Sequence, residues 1–145
     1  MPKRITPREP AQSAIRSRLV VVSCGMTAPN SHGLTQLRDA LRQFAADRDW
    51  DQYHSPKNLA SALAVEAAEL LERFQWLTED QSRNLPPDEL RKVREEMADV
   101  LNYLVRLADK LDVNLLEAAR EKMKLNEQKY PADKARGSAK KYSEL

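Results

Sequence analysis

Residues 58–76 read NLASALAVEAAELLERFQW, and this stretch decides the fold. Leu59, Leu63, Leu70, Phe74 and Leu77 recur at the 3–4 spacing of a core-facing helical stripe. Glu66 falls inside that stripe, one turn after Leu63 and one turn before Leu70. Glu69 sits at its edge, three residues on, so the two carboxylates neighbour each other on the helix surface. Two carboxylates about 5–6 Å apart repel by roughly 3 kcal/mol at an effective dielectric near 20. An unpaired charge on an apolar face adds a desolvation cost. Either one acid is protonated or a cation sits between them.

Residues 94–111, REEMADVLNYLVRLADKL, repeat the pattern. Val93, Met97, Val100, Leu104, Leu107 and Leu111 make the stripe. Glu96 and Asp99 lie three apart on one flank, with Tyr103 one turn beyond. Two helices that each carry acid-x-x-acid beside a buried stripe can bring four oxygen donors together. An oxygen-only cluster suits Mg²⁺ or Mn²⁺. The competing reading is that these acids are solvated helix charges.

The rest of the chain is expected to be helical too. At 145 residues, with three glycines, it is one small all-α domain, and its eight prolines fall outside the periodic interiors. The single Cys24 rules out an internal disulfide framework and fits a reducing, cytoplasmic setting. No apolar run approaches the roughly 20 residues of a membrane span. Residues 1–25 hold five Lys/Arg against one Glu, a net +4; the remainder holds 19 basic and 21 acidic side chains, a net −2. The body is therefore no nucleic-acid surface by charge.

The spacing predicts four to five helices in an oligomeric bundle. Residues 1–31 form a loosely ordered arm, 32–131 the helical domain and 132–145 a basic tail. Met26 reads as an alternative start that would make residues 1–25 dispensable. A first helix runs over Leu34–Asp47. The connector 47–58, DRDWDQYHSPKN, places Trp50, Tyr53 and His54 in a polar loop. These rings either close the bundle end or offer a platform for a flat ligand such as a nucleobase. Ser55 and Pro56 open the second helix, which ends near Leu77. It is apolar on nearly every side, which points to burial against another subunit. Residues 78–88 are read as a loop. The third helix starts at Pro87 and ends near Lys110. The fourth, Leu115–Lys129, is capped by Asp112 or Asn114 and stopped by Pro131. Its stripe passes from Leu115 and Ala119 into Lys122, Asn126 and Lys129, groups suited to phosphate oxygens. Lys134, Arg136, Lys140 and Lys141 then close over a polyanion or remain a solvated end.

Five phrases stand in order: RDWDQYHSPKNLA, VEAAELLERFQW, EEMADVLNYLVRLA, KMKLNEQKYP and ARGSAKKYSEL. Together they resemble the MazG-like all-α nucleotide pyrophosphohydrolases of the short dCTP pyrophosphatase type. The resemblance covers roughly Leu34 to Leu145. It implies a homotetrameric bundle, a dimer of dimers, with sites near subunit contacts. It implies that Glu66, Glu69, Glu96 and Asp99 bind Mg²⁺ and serve catalysis. Trp50, Trp76 and Tyr103 would line the base and sugar pocket, with His54 nearby. Lys122, Asn126, Lys129 and Tyr130 would hold the phosphates. Two positions depart from the pattern. Leu41 stands where animal members carry a pocket His, and Glu127 stands where some relatives carry Arg.

The expected reaction converts a nucleoside triphosphate to the monophosphate and pyrophosphate, with a preference for dCTP or a modified relative. Water, acidified by the metal, attacks the α-phosphorus. No His, Cys or Ser constellation suggests a covalent intermediate. One of the four acids, or Glu95 or Glu72, takes the proton. Trp76 and Tyr103 leave the acid cluster in opposite directions on antiparallel helices, so a partner chain is expected to supply one wall. Three alternatives compete: a broad house-cleaning pyrophosphatase, a non-catalytic nucleotide-binding oligomer, and a carboxylate-bridged iron bundle. The last needs Glu-x-x-His pairs, and neither His32 nor His54 lies on a predicted core helix.

Overall fold

A computed structural model describes residues 32–144. The expectations for the N-terminal arm and for Met26 lie outside the described residues. The described chain has helices and no strands: α1 (His32–Ala46), α2 (Pro56–Glu72), α3 (Glu79–Arg83), α4 (Pro87–Lys110), α5 (Leu115–Lys129) and α6 (Ala132–Ala135), with short 3₁₀ turns at Asp51–Tyr53 and Tyr142–Glu144.

The helix boundaries follow from local chemistry. Ser55 is extended and accepts from the Asn58 backbone N–H, while Pro56 takes the first turn of α2, where no partner for its missing N–H is needed. Pro87 does the same for α4, with Asp88 and Glu89 in its first turn and Lys110 in its last, matching the helix dipole. Asn114 caps α5 by accepting from the Glu117 N–H. Helices α1 and α4 both end in an aspartate at positive φ: Asp49 and Asp112, each at 53°. The next amide reaches back to close the turn. Trp50 N–H bonds Ala45 O at 2.9 Å, and Val113 N–H bonds Ala108 O at 2.9 Å.

Two boundaries differ from the sequence expectation. Helix α2 stops at Glu72, not near Leu77, because residues 73–77 tighten into a 3₁₀-like turn, with Phe74 N–H on Leu71 O and Leu77 N–H on Phe74 O. The loop read over 78–88 contains α3, started by a capping box in which Thr78 and Gln81 satisfy each other's backbone N–H groups.

Helix α4, about 36 Å long at 1.5 Å per residue, carries both α1 and α2. Helix α2 runs antiparallel to it. Asp51 and His54, just before α2, bond Arg106 and Lys110 near the end of α4. Glu66, mid-helix, meets Glu96 and Asp99. Arg73, just past α2, lies beside Glu96. Ala45, Leu59, Val93, Val105 and Ala108 are the buried apolar residues among those described. Met97, Leu104 and Leu111, expected in the α4 stripe, are exposed in this chain. The buried residues of α4 are Val93, Val105, Arg106 and Ala108, most of them near its C-terminal end. Leu90 and Leu101 are exposed as well, so with Met97 and Leu104 they leave an apolar row of α4 uncovered in this chain. Val65 and Leu71 are likewise exposed on α2. Helix α5 buries no residue and contacts the other helices sparsely.

Candidate active site

The antiparallel α2–α4 pair sets Glu66 opposite Glu96 and Asp99. One carboxylate oxygen from each lies within 4.8 Å of the other two; Glu66 and Glu96 are half-buried and Asp99 is exposed. Burial, and then the charges of Glu69, Asp99 and Glu96, raise the Glu66 pKa above its ordinary value. Glu69 itself is exposed and stands outside the trio. Its position three residues on carries its side chain around the helix, yet it acts on Glu66 through charge. Three close, oxygen-only donors with mutual repulsion fit a hard divalent cation, which would relieve that repulsion. Arg73 moderates it from one side, with its Nε 3.8 Å from Glu96 Oε1 and otherwise unpartnered.

Asp99 also lines a cavity of about 410 Å³. The other walls are Leu37, Ala40, Leu41 and Phe44 from α1, Trp50 and His54 from the connector, and Asn102, Tyr103 and Arg106 from α4. The turn at Asp49 delivers Trp50, whose ring meets Phe44 edge-on at 5.8 Å and 74°. Asn58 Nδ2 donates to Tyr53 O at 2.9 Å, tying the connector to the start of α2. Leu41, the departure noted in the sequence, forms part of the apolar wall.

The structure thus gathers Trp50, His54 and Tyr103 at Asp99, and does not bring Trp76 there. Trp76 is 85% exposed. Lys122, Asn126, Lys129 and Tyr130 lie exposed along and after α5. Among the described residues no hydrogen bond or ion pair joins them to the acid trio. The tail returns to their end of α5. Tyr142 packs edge-on against Tyr130 at 5.9 Å, and the Lys129 ammonium lies 5.4 Å from the Tyr142 ring centroid.

Sequence reasoning missed the ionic frame around the cavity. Arg106, 6% exposed, bonds His54, Asp51 and Asp109. Asp109 also accepts from Arg42 of α1, and Asp51 from Lys110 at 2.8 Å. Bonds from Lys110 and the nearby Arg106 charge hold the Asp51 carboxyl below its ordinary pKa; those from Arg42, with Arg106 beyond it, do the same for Asp109. The signal was present. Asp99, Tyr103, Arg106 and Lys110 recur at 3–4 spacing along one flank of α4, and Asp109 follows Arg106 by three.

Residues 62–145 match the MazG-like family. The chain belongs to the MazG-like family. It is 46% identical over 114 residues to dCTP pyrophosphatase 1 of Mus musculus, spanning 77% of this chain and 67% of that protein. It is 45% identical over the same length to dCTP pyrophosphatase 1 of Homo sapiens, with the same coverage. A crystal structure of a pyrophosphatase from Archaeoglobus fulgidus superposes with a TM-score of 0.66 at 43% identity, covering 72% of this chain and 98% of the other. Among the described residues no helix is long and apolar enough to cross a membrane.

Proposed function

We propose that this MazG-like chain is a Mg²⁺-dependent pyrophosphohydrolase that converts a deoxynucleoside triphosphate to the monophosphate and pyrophosphate, cleansing the nucleotide pool, with dCTP or a modified relative preferred. Asp99 carries the reading, because it belongs both to the acid trio and to the wall of an aromatic-lined cavity. A nucleoside in that cavity would present its phosphates to the acids. The volume suits a small ligand. The mammalian relatives named for dCTP and the archaeal pyrophosphatase support the same reaction class.

Glu66, Glu96 and Asp99, with Glu69 beside them, would hold Mg²⁺, or Mn²⁺ in its place. The cation supplies Lewis acidity for the phosphate oxygens and the attacking water. Glu69, Glu72 and Glu95 are the neighbouring acids open to take the water's proton. Trp50 and Tyr103 stack or edge the base and sugar, and His54 contributes a polar group. Trp76, Lys122, Asn126, Lys129 and Tyr130 would complete the pocket and phosphate site from a partner copy. Their separation from the trio supports this, as do the uncovered apolar flanks of α2 and α4. The assembly would be a homo-oligomer, a dimer of dimers, acting in the cytoplasm without nucleic acid or membrane.

Phosphorus NMR of dCTP turned over with Mg²⁺ in ¹⁸O-labelled water tests this. The expected products are dCMP carrying the label and unlabelled pyrophosphate. Release of dCDP and inorganic phosphate would refute it. The apolar wall at Leu41 favours a second reading, broad activity without cytosine preference. A kcat/KM panel of natural and modified triphosphates separates the two.

A further inference from the structure

The Arg106 guanidinium is shared three ways. Nε–H donates to His54 Nδ1 at 3.2 Å, Nη1 donates to Asp109 Oδ2 at 2.6 Å, and Nη2 donates to Asp51 Oδ1. Arg42 and Lys110 brace the two carboxylates from outside. A guanidinium has donors and no acceptor. The imidazole nitrogen facing it must therefore offer a lone pair, so Nδ1 is bare and the ring proton sits on Nε2. A second ring proton would set an imidazolium against Arg106. Burial first, then the Arg106 charge, hold the His54 pKa below its ordinary value. Nε2 has no hydrogen-bond partner among the described residues, and the ring lines the cavity together with Leu41, Trp50 and Tyr103 and the polar Asp99 and Asn102.

We infer that Arg106 is a positioning residue: it fixes His54 as the neutral Nε2–H tautomer and makes that N–H the donor through which the cavity recognises an acceptor atom of the bound nucleoside. For its substrate the inference rests on the pyrophosphohydrolase reading. The acceptor is a ring or carbonyl atom of the base, or an oxygen of the sugar.

The test combines imidazole ¹⁵N NMR with steady-state kinetics of pyrophosphate release. At neutral pH the long-range ¹⁵N–¹H spectrum of the wild type should show the His54 proton on Nε2 alone. In Arg106→Met the Nδ1–H form should become populated. His54→Phe should raise KM about tenfold, the loss of one hydrogen bond, with kcat little changed. His54→Gln keeps an acceptor toward Arg106 and a donor toward the cavity, and should stay within about threefold of wild type. A 2′,3′-dideoxy triphosphate and a pyrimidine triphosphate lacking the 2-oxo group distinguish sugar from base. The analogue missing the true acceptor should be insensitive to His54→Phe. A proton on Nδ1 in the wild type, an unchanged KM in His54→Phe, or equal losses in Phe and Gln variants would overturn the inference. No pyrophosphate release from the wild type would instead overturn the parent reading, and the NMR spectrum would still decide the tautomer.

Discussion

Replacing Asp109 by alanine tests how the frame around the cavity is held. The Asp109 side chain is 5% exposed and accepts from Arg42 and from Arg106, whose side chain is 7% exposed. Removing one partner of a buried ion pair costs about 3–5 kcal/mol, because the other charge stays buried without compensation. Arg106 keeps Asp51 as a partner, so the low end applies, about 3 kcal/mol. Arg42 is 53% exposed, so Arg42→Ala should cost at most about 1 kcal/mol. Urea unfolding at one fixed protein concentration, followed by far-UV circular dichroism, reads both. With m near 2 kcal/mol/M, Asp109→Ala should lower the midpoint by about 1.5 M and Arg42→Ala by no more than about 0.5 M. The pH dependence has a definite sign. Bonding by Arg42, its charge and that of Arg106 depress the Asp109 pKa below 3.8. Its stabilisation is therefore complete above the unfolded value and is lost as pH falls through the folded one. The gap between wild type and Asp109→Ala should thus be constant from neutral pH down to about pH 5 and close in stronger acid. Equal losses in the two variants, or a gap that widens in acid, would show that Asp109 is not held as a buried, charge-paired carboxylate.

Three other outcomes are expected. Asp49→Gly should stabilise the protein by about 1 kcal/mol, since only glycine takes positive φ without strain; a lower melting temperature would show that the bond from Gln52 to the Asp49 carboxylate contributes more. Glu66→Gln should raise the stability of the metal-free protein by about 1 kcal/mol, by removing one charge from a like-charge cluster, and should abolish the rise in melting temperature on adding Mg²⁺. Leu41→His puts a polar group into the cavity's apolar wall and should raise kcat/KM for dCTP over the other triphosphates by about tenfold; an unchanged ranking would show that the wall at this position does not touch the base.

Much of this was legible before the fold was known, for physical reasons. The long helices α4 and α5 announce themselves through proline or asparagine at one end and a lysine at the other, and their bounds, Pro87–Lys110 and Leu115–Lys129, match the expectation. The end of α2 was not legible, because Phe74 and Leu77 continue the 3–4 spacing through residues that turn as 3₁₀. Helix α3 has only the capping box of Thr78 and Gln81 to mark it. Five residues of helix offer no periodicity to detect. In the site, acids three apart on one helix were plain to see. Which carboxylates meet across the two helices depends on how α2 and α4 pack, and Glu69 falls outside the close trio. The Arg106 network depends on contacts between Asp51, His54 and the end of α4, more than 50 residues away in sequence, so no local pattern could pair them.

Divalent-cation binding by Glu66, Glu96 and Asp99 underlies the proposed chemistry. It can be read from Mn²⁺ titrations followed by electron paramagnetic resonance, in the wild type and in Glu66→Gln, Glu96→Gln and Asp99→Asn. The wild type should bind Mn²⁺, each of these variants should bind at least about tenfold more weakly while keeping its helicity, and Glu69→Gln should lose less. Wild-type affinity in all three trio variants would contradict it.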